Sequence, residues 1–295
     1  MSDTIPWYLK TYKEMLSSTA ERRLLGVIER VLLYDSAERN AQRDTVHLHP
    51  SEMAKENWCP RQSYYKITDT EVSDPDSFSF QRLNIFEEGH SIHAKWQHWM
   101  YKTGMLVGDW KCKRCSHKWW AKSPDRCPSC YEMDLVYAEI PIRNEEHMIM
   151  GHADGLIEDD KGQALVEIKS VGLGTIRMDA PALYKPYSDG LIGLDELWKR
   201  IKRPLASHNR QIQLYMYCFG VHDAVVVYEW KPTQDIKEFS IKFDPNLVNG
   251  ILVGAVEVIS ALHTKTTPDR PASATHKTCD TCKYCPYKTS CWKPV

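Results

Sequence analysis

Apolar and polar residues alternate with a period of two in three successive runs, 136–143, 148–158 and 164–170. Strand side chains point alternately to opposite faces, so each run predicts a half-buried strand, and their succession predicts a β-meander. Runs at 224–230 and 238–243 predict two more strands. Elsewhere the spacing is helical. Within 18–42, Leu24, Leu25, Ile28, Val31 and Leu32 recur at three- and four-residue intervals behind Ser18 and Glu21, which have capping-box spacing. They predict an amphipathic helix with a packing role. Leu83, Phe86, His90, His93, Trp96 and Met100 spread over a helix at about 78–102, and 205–219 reads as another helix. Pro50-Ser51-Glu52 opens a short helix with Ser51 as N-cap, and Asp244-Pro245 supplies a cap and a first-turn proline for a helix to about Leu262. The connection 172–204 is rich in aromatic and basic residues and shows no period.

These elements make an α/β protein. At 295 residues, 42% hydrophobic and 26% charged, the chain has about two domain-equivalents and is neither disordered nor fibrous. The N-terminal stretch has no basic start or apolar core of a signal peptide, and no apolar run approaches the ~20 residues of a membrane span. The expectation is a cytoplasmic chain without a membrane partner. A net charge of -1 conceals an uneven distribution. Segment 110–131 has six Lys+Arg and one acid, 172–210 has seven and four, and 263–295 has six and two. Those three segments are the candidates for contact with a polyanion.

Ten cysteines sharpen the picture, because eight fall in two short runs. Cys112, Cys115, Cys127 and Cys130 have the paired knuckles of a zinc ribbon, a tetrahedral four-thiolate site for Zn²⁺. Trp110, Trp119 and Trp120 surround it with Lys111, Lys113, Arg114 and Lys118. The ribbon is either a small structural insertion at 110–131 or a surface that touches DNA by stacking and phosphate contacts. The second run, Cys279, Cys282, Cys285 and Cys291, lies in a Pro- and Lys-rich tail that needs a metal to hold a shape. It is a local four-cysteine site on its own, or three of its members combine with a distant cysteine.

The most informative stretch is GHADGLIEDDKGQALVEIKS. If its two halves pair around Asp159-Asp160-Lys161-Gly162, partner numbers sum to 321 and Asp154 faces Glu167. Lys169, two residues on, shares their face. Two adjacent carboxylates repel unless a divalent cation such as Mg²⁺ or Mn²⁺ lies between them. A neighbouring lysine positions or deprotonates an attacking water and offsets phosphate charge, which is the chemistry of phosphodiester hydrolysis. His152 shares the strand face of Asp154, as a further ligand or merely a neighbour.

Gly89-x3-His93, Gly151-x2-Asp154, Glu167-Ile168-Lys169 and Gln211-x3-Tyr215 occur in the order seen in the PD-(D/E)XK nuclease superfamily. The sequence resembles its RecB-like branch, including the CRISPR-associated iron-sulfur exonucleases, from Ser51 to the C-terminus apart from the cysteine insertion. The resemblance implies a nuclease core with a mixed central sheet flanked by helices and an iron-sulfur-stapled tail, and the zinc ribbon read from the cysteine spacing is an insertion in it. It divides the chain into an N-terminal helical segment, 1–50, and a nuclease domain, 51–295, with the iron-sulfur tail at 276–295. Asp154, Glu167, His93 and the carbonyl of Ile168 are the implied ligands of Mg²⁺ or Mn²⁺. Lys169 is the implied catalytic lysine. Gln211 orients that lysine or the scissile phosphate, and Tyr215 lies near the DNA path. Cys59 with Cys282, Cys285 and Cys291 matches the family's staple for a [4Fe–4S] cluster, leaving Cys279 as the competing ligand.

The resemblance implies a metal-dependent DNA exonuclease for single-stranded or end-frayed DNA, in recombination, repair, replication or phage DNA metabolism. Trp198, Arg200, Arg203 and Arg210 are candidates to line a single-strand channel. The alternative is a DNA- or protein-binding subunit with weak or no cleavage. The N-terminal helix and the ribbon are candidate surfaces for a protein partner or self-association.

Overall fold

The computed structural model describes residues 24–68, 70 and 79–293; Ser18 and Glu21, the expected capping pair, lie outside them. Its strands in chain order are β1 (Leu106–Cys112), β2 (Lys118–Lys122), β3 (Leu135–Ala138), β4 (Ile140–Asn144), β5 (Ile149–Ala153), β6 (Gly155–Asp159), β7 (Gly162–Val171), β8 (Asp223–Trp230) and β9 (Ile236–Lys242). The helices are α1 (Leu25–Ala41), α2 (Pro50–Met53), α3 (Pro60–Ile67), α4 (Phe80–Lys102), α5 (Leu173–Asp179), α6 (Pro181–Ser188), α7 (Leu194–Arg200), α8 (Ala206–Phe219), α9 (Pro245–Thr264) and α10 (Lys288–Cys291).

The central sheet runs β2-β1-β6-β7-β8-β9, with β3 also paired to β1, while β4 and β5 form a separate hairpin. Within the central sheet, among the described residues, β7 and β8 alone pair in parallel, which makes the sheet mixed. A parallel pair needs a crossover, and the 172–204 connection supplies it as α5, α6 and α7, not as loop. One face of β7 and β8 presents Val166, Ile168 and Val227 to Ile92 and Trp96 of α4. The other presents Leu165, Val171, Ala224, Val226, Tyr228 and Trp230 to Ile212, Tyr215 and Met216 of α8 and to Leu197 and Trp198 of α7. Helices therefore cover both faces.

The register of β6 and β7 has Gly155 opposite Val166 and Leu156 opposite Leu165, the predicted pairing, and Gly162 closes the turn at φ +108°. The expected continuous strands 136–143 and 148–158 are each broken. The first divides at Glu139 into β3 and β4, the second at Asp154 into β5 and β6, and the chain changes sheets at both points. The expected meander is thus two sheets meeting at Glu139 and Asp154. The cysteine segment is likewise no self-contained insertion, since β1 begins at Leu106 in the central sheet and ends at the first of its four cysteines, Cys112. Gly108 permits this: a Cβ there would come within 2.8 Å of the Tyr137 ring.

Further expectations are corrected. His49, not Ser51, is the N-cap before Pro50. Leu24, Leu25, Ile28 and Val31 are exposed, so the apolar positions of α1 do not form the buried stripe that a packing helix needs. Helix α9 has the length and hydropathy of a membrane span, against the expectation that no run approaches it. Its Val248, Ile251, Leu252, Ala255 and Val258 pack with Leu48, Met53, Ile149 and Leu214 in a protein core. Asp244 caps α9 as predicted, its Oδ1 accepting from the amides of Asn246 and Leu247. The chain separates into two units, Met1–Asp44 with Asp76–Glu88, and Thr45–Pro75 with Gly89–Val295.

Candidate active site

Two hairpin registers converge on Asp154. In β6 and β7, Gly155 opposes Val166, so one step outward Asp154 falls opposite Glu167. In β4 and β5, Ile140 opposes Ala153, so one step outward Glu139 falls opposite the same Asp154. Helix α4 adds His93 and Gln97, which share a face at i, i+4 spacing. His93 Nδ1 lies 3.1 Å from Asp154 Oδ1, and Gln97 Nε2 donates to the Asp154 carbonyl at 2.9 Å. The Ile168 amide donates to Asp154 Oδ2 at 2.6 Å. His93, Glu139 and Asp154 bring one ligand atom each within 4.8 Å of one another.

Glu167 is 2% exposed and faces α8. Its Oε1 receives Lys169 Nζ at 2.7 Å and Gln211 Nε2 at 2.8 Å. Lys169 Nζ also donates to Gln211 Oε1 at 3.1 Å, and Gln211 Nε2 to the Tyr215 hydroxyl at 2.9 Å. Gln211 thus orients both the lysine and the carboxylate. Glu167 Oε2, in contrast, is buried without a hydrogen-bond partner. A buried carboxylate oxygen left unpaired is costly, and a cation would relieve it.

The electrostatics agree. Burial pushes the Glu167 carboxyl up to about 7, and the Asp154 charge adds to it against Lys169 and His93. Burial alone would lower His93 and Lys169, but the surrounding carboxylates outweigh it and hold both above their ordinary values. Loss of water around its carboxyl group, with Asp154 nearby, raises Glu139. Three carboxylates against one lysine and one imidazole leave an excess of negative charge that a cation would offset. The chemistry of the set, a histidine nitrogen and carboxylate oxygens, fits Mn²⁺ or Mg²⁺.

Glu139 is the residue that reading the sequence missed. In one strand over 136–143 it is an outward polar position. The pattern IPIRNEEHMIMGHA, read as a hairpin, places it opposite Asp154. Ile168, expected to offer its carbonyl to the cation, donates its amide to Asp154 Oδ2. His152 is exposed and acts on Glu139 by its charge.

The four ribbon sulfurs lie within 4.8 Å of one another, with Cys112–Cys130 and Cys115–Cys127 at 3.6 Å. Ligands about 2.3 Å from one tetrahedral ion are separated by roughly 3.8 Å, so the set fits a single metal ion. Cys59, Cys282, Cys285 and Cys291 line one cavity with Arg61, Tyr65 and Trp292, and Cys279 is not among its lining. Among the described residues these four are not gathered within 4.8 Å, a looser grouping than one ion needs. The cavity ties α3 to the tail, as does Arg61, whose Nη1 donates to the Pro268 carbonyl at 2.7 Å.

Of the nucleic-acid candidates, Trp198 is corrected to a core residue. It is 6% exposed, stacked on Trp230 at 5.1 Å and covered by Lys237, so it offers no free ring to a base. Tyr215 is buried against Gln211 and is no surface contact. Arg200 pairs with Glu196 within α7, Arg203 is exposed, and Arg210 has a buried Nε without a partner.

No protein-family model matches the chain. No curated protein matches it either. Among solved structures it is similar to SSO0001, at 15% identity and a TM-score of 0.45, over 90% of this chain and 96% of that one. It is also similar to an alkaline exonuclease from Laribacter hongkongensis, at 15% identity and a TM-score of 0.43, over 78% and 93%. A phage-related exonuclease from Haemophilus somnus 129PT is similar over 44% and 63%, at 17% identity and a TM-score of 0.27.

Proposed function

We propose that this protein is a Mg²⁺- or Mn²⁺-dependent DNA exonuclease of the RecB-like PD-(D/E)XK kind, acting on single-stranded or end-frayed DNA in the cytoplasm. The observation that carries the reading is the meeting of Asp154, Glu167, Lys169 and Gln211 around an unpartnered buried carboxylate oxygen. Asp154, Glu139 and His93 would hold the cation, with Glu167 beside them. A divalent cation in such a site withdraws charge from a phosphate and acidifies water. Lys169, held by Glu167 and Gln211, presents its ammonium to the phosphate and to the attacking water. Gln211 fixes the lysine and Glu167 relative to each other, and Tyr215 anchors Gln211 from behind. Gln97 and the Ile168 amide hold Asp154 from two sides.

The ribbon is proposed to hold Zn²⁺ through Cys112, Cys115, Cys127 and Cys130. The cavity of Cys59, Cys282, Cys285 and Cys291 is proposed to hold a [4Fe–4S] cluster that joins the tail to α3. Iron and zinc analysis of anaerobically purified protein checks both. Zinc without iron would reassign the tail cysteines and release Cys59.

The activity test uses end-labelled single- and double-stranded DNA with Mn²⁺ or Mg²⁺. Lys169→Ala is expected to slow cleavage by about 10²- to 10⁴-fold while DNA binding persists. Wild-type protein that binds DNA and leaves every substrate intact would replace this reading with a DNA-binding subunit.

A further inference from the structure

We propose that one face of the ribbon sheet β2-β1-β3 is a platform for a single nucleic-acid strand that leads into the carboxylate cleft. The proposal rests on the phosphodiester reading above and says where the substrate strand lies. Residues directly opposite in an antiparallel pair share a face. Trp120 opposes Asp109, which opposes Ala138; Lys118 opposes Lys111, which opposes Val136; and Lys122 opposes Val107, which is buried in the main core and closes the face at that end. The other face is spent internally, because Trp110 is buried there against Tyr101 and Tyr137.

On the first face Trp120 is 49% exposed, between Lys118 and Lys122 on the edge strand. Lys111 stands directly across from Lys118. Like charges in that position destabilise a sheet, and among the described residues neither lysine has an ion-pair partner. An anion lying on the face would offset that repulsion. Two acids temper the charge: Asp109 stands beside Trp120, and Glu158 holds Lys122 at 3.3 Å.

An exposed indole among ammonium groups matches a polyanion that also offers aromatic faces, which is a nucleic-acid strand. A duplex keeps its bases stacked internally, so the single strand is the better fit. The platform ends at Ala138, and the next residue is Glu139 of the candidate metal set. A strand lying along β3 is therefore delivered to the cleft by the chain's own connectivity.

The test measures anisotropy of a fluorescein-labelled oligothymidylate bound to the full chain carrying Lys169→Ala, so that the probe is not consumed, with Ca²⁺ present. Adding Trp120→Ala is expected to weaken binding by about 5- to 100-fold, with Trp120→Phe recovering most of the loss. Lys111→Gln with Lys118→Gln is expected to flatten the dependence of log affinity on log salt by about 1.4. Duplex affinity should change by less than about twofold on Trp120→Ala, since stacking supplies none of it. Zinc content and thermal melting report whether each variant is folded. Unchanged oligothymidylate affinity in a zinc-replete Trp120→Ala chain overturns the platform. If that variant loses zinc, an unchanged salt slope in the lysine pair overturns it instead. Dimers that Trp120→Ala dissociates, at unchanged DNA affinity, would assign the face to a second copy. A wild type that cleaves DNA while these variants bind normally refutes the platform alone. A wild type that never cleaves refutes the nuclease reading, and the binding arms still judge the platform.

Discussion

The ribbon, 106–138, and the crossover, 172–210, look alike as sequence: both carry net positive charge and both set tryptophan beside lysine or arginine. The structure separates them. Trp198 of the crossover stacks on Trp230 at 5.1 Å and 13°, and Lys237 donates to the Trp198 and Ile201 carbonyls while its ammonium stands over the Trp198 ring. Trp120 of the ribbon has its ring about half in solvent. Topology is the cause. A connection between parallel strands must pass over a sheet face, and that face needs apolar cover. The ribbon strands extend the sheet edge, and beyond Val107, which is in the core, the face that carries Trp120 is left to solvent while Trp110 buries the other. What an aromatic-basic segment lies over decides its use; its composition does not.

The largest effect should come from breaking the ribbon's own support. Cys127 is wholly buried and belongs to the four-sulfur set. Metal binding in small sites is folding free energy, of order 10 kcal/mol in isolated zinc domains, so Cys127→Ser should unfold the ribbon locally. Hydrogen exchange should show protection lost over 108–138 and kept in β7 and β8. Loss of protection throughout the sheet would mean that the ribbon supports the core as well.

Trp198→Ala should do the reverse. Removing a buried tryptophan is expected to cost about 3–5 kcal/mol in denaturant unfolding, because the space beneath Trp230 cannot collapse fully. Single-strand affinity per folded molecule should stay within about twofold of wild type, since the ring has no solvent face to lose. A stable Trp198→Ala chain that binds DNA poorly would return the crossover to the nucleic-acid interface.

How much of this was legible beforehand follows the same division. The β6–β7 register came from an alternating pattern and a turn, which are local, and it gathered Asp154, Glu167 and Lys169 as anticipated. Gln211 and His93, which come from other elements, were reached only through a family likeness. Glu139 was not found, because its role depends on two strands changing sheets at facing positions. Periodicity does not register a change of sheet. The burial of Trp198 was equally hidden, since it depends on Trp230 and Lys237 arriving from β8 and β9.

The subtlest difference lies where both segments reach the cleft. The ribbon hands on to Glu139, inside the candidate metal set, whereas α5 of the crossover ends at Asp179, whose charge acts on Lys169. Without Mg²⁺ or Mn²⁺, Glu167 titrates near 7 and His93 above its ordinary value. A group whose pKa is raised by folding contributes stability that is full below the unfolded pKa and lost as pH rises through the folded one. Stability should therefore decline from about pH 4.5 through 7 as Glu167 ionises, at about 1.4 kcal/mol per unit of raised pKa, with His93 extending the decline upward. Mn²⁺ replaces those protons, so its stabilisation, read as a melting shift, should grow across the same window. Glu139→Gln should weaken Mn²⁺ by at least about tenfold in calorimetry, while Asp179→Asn should change it less than about twofold. Equal losses in the two variants would mean that both segments serve the cation through general charge, and would remove Glu139 from the ligand set.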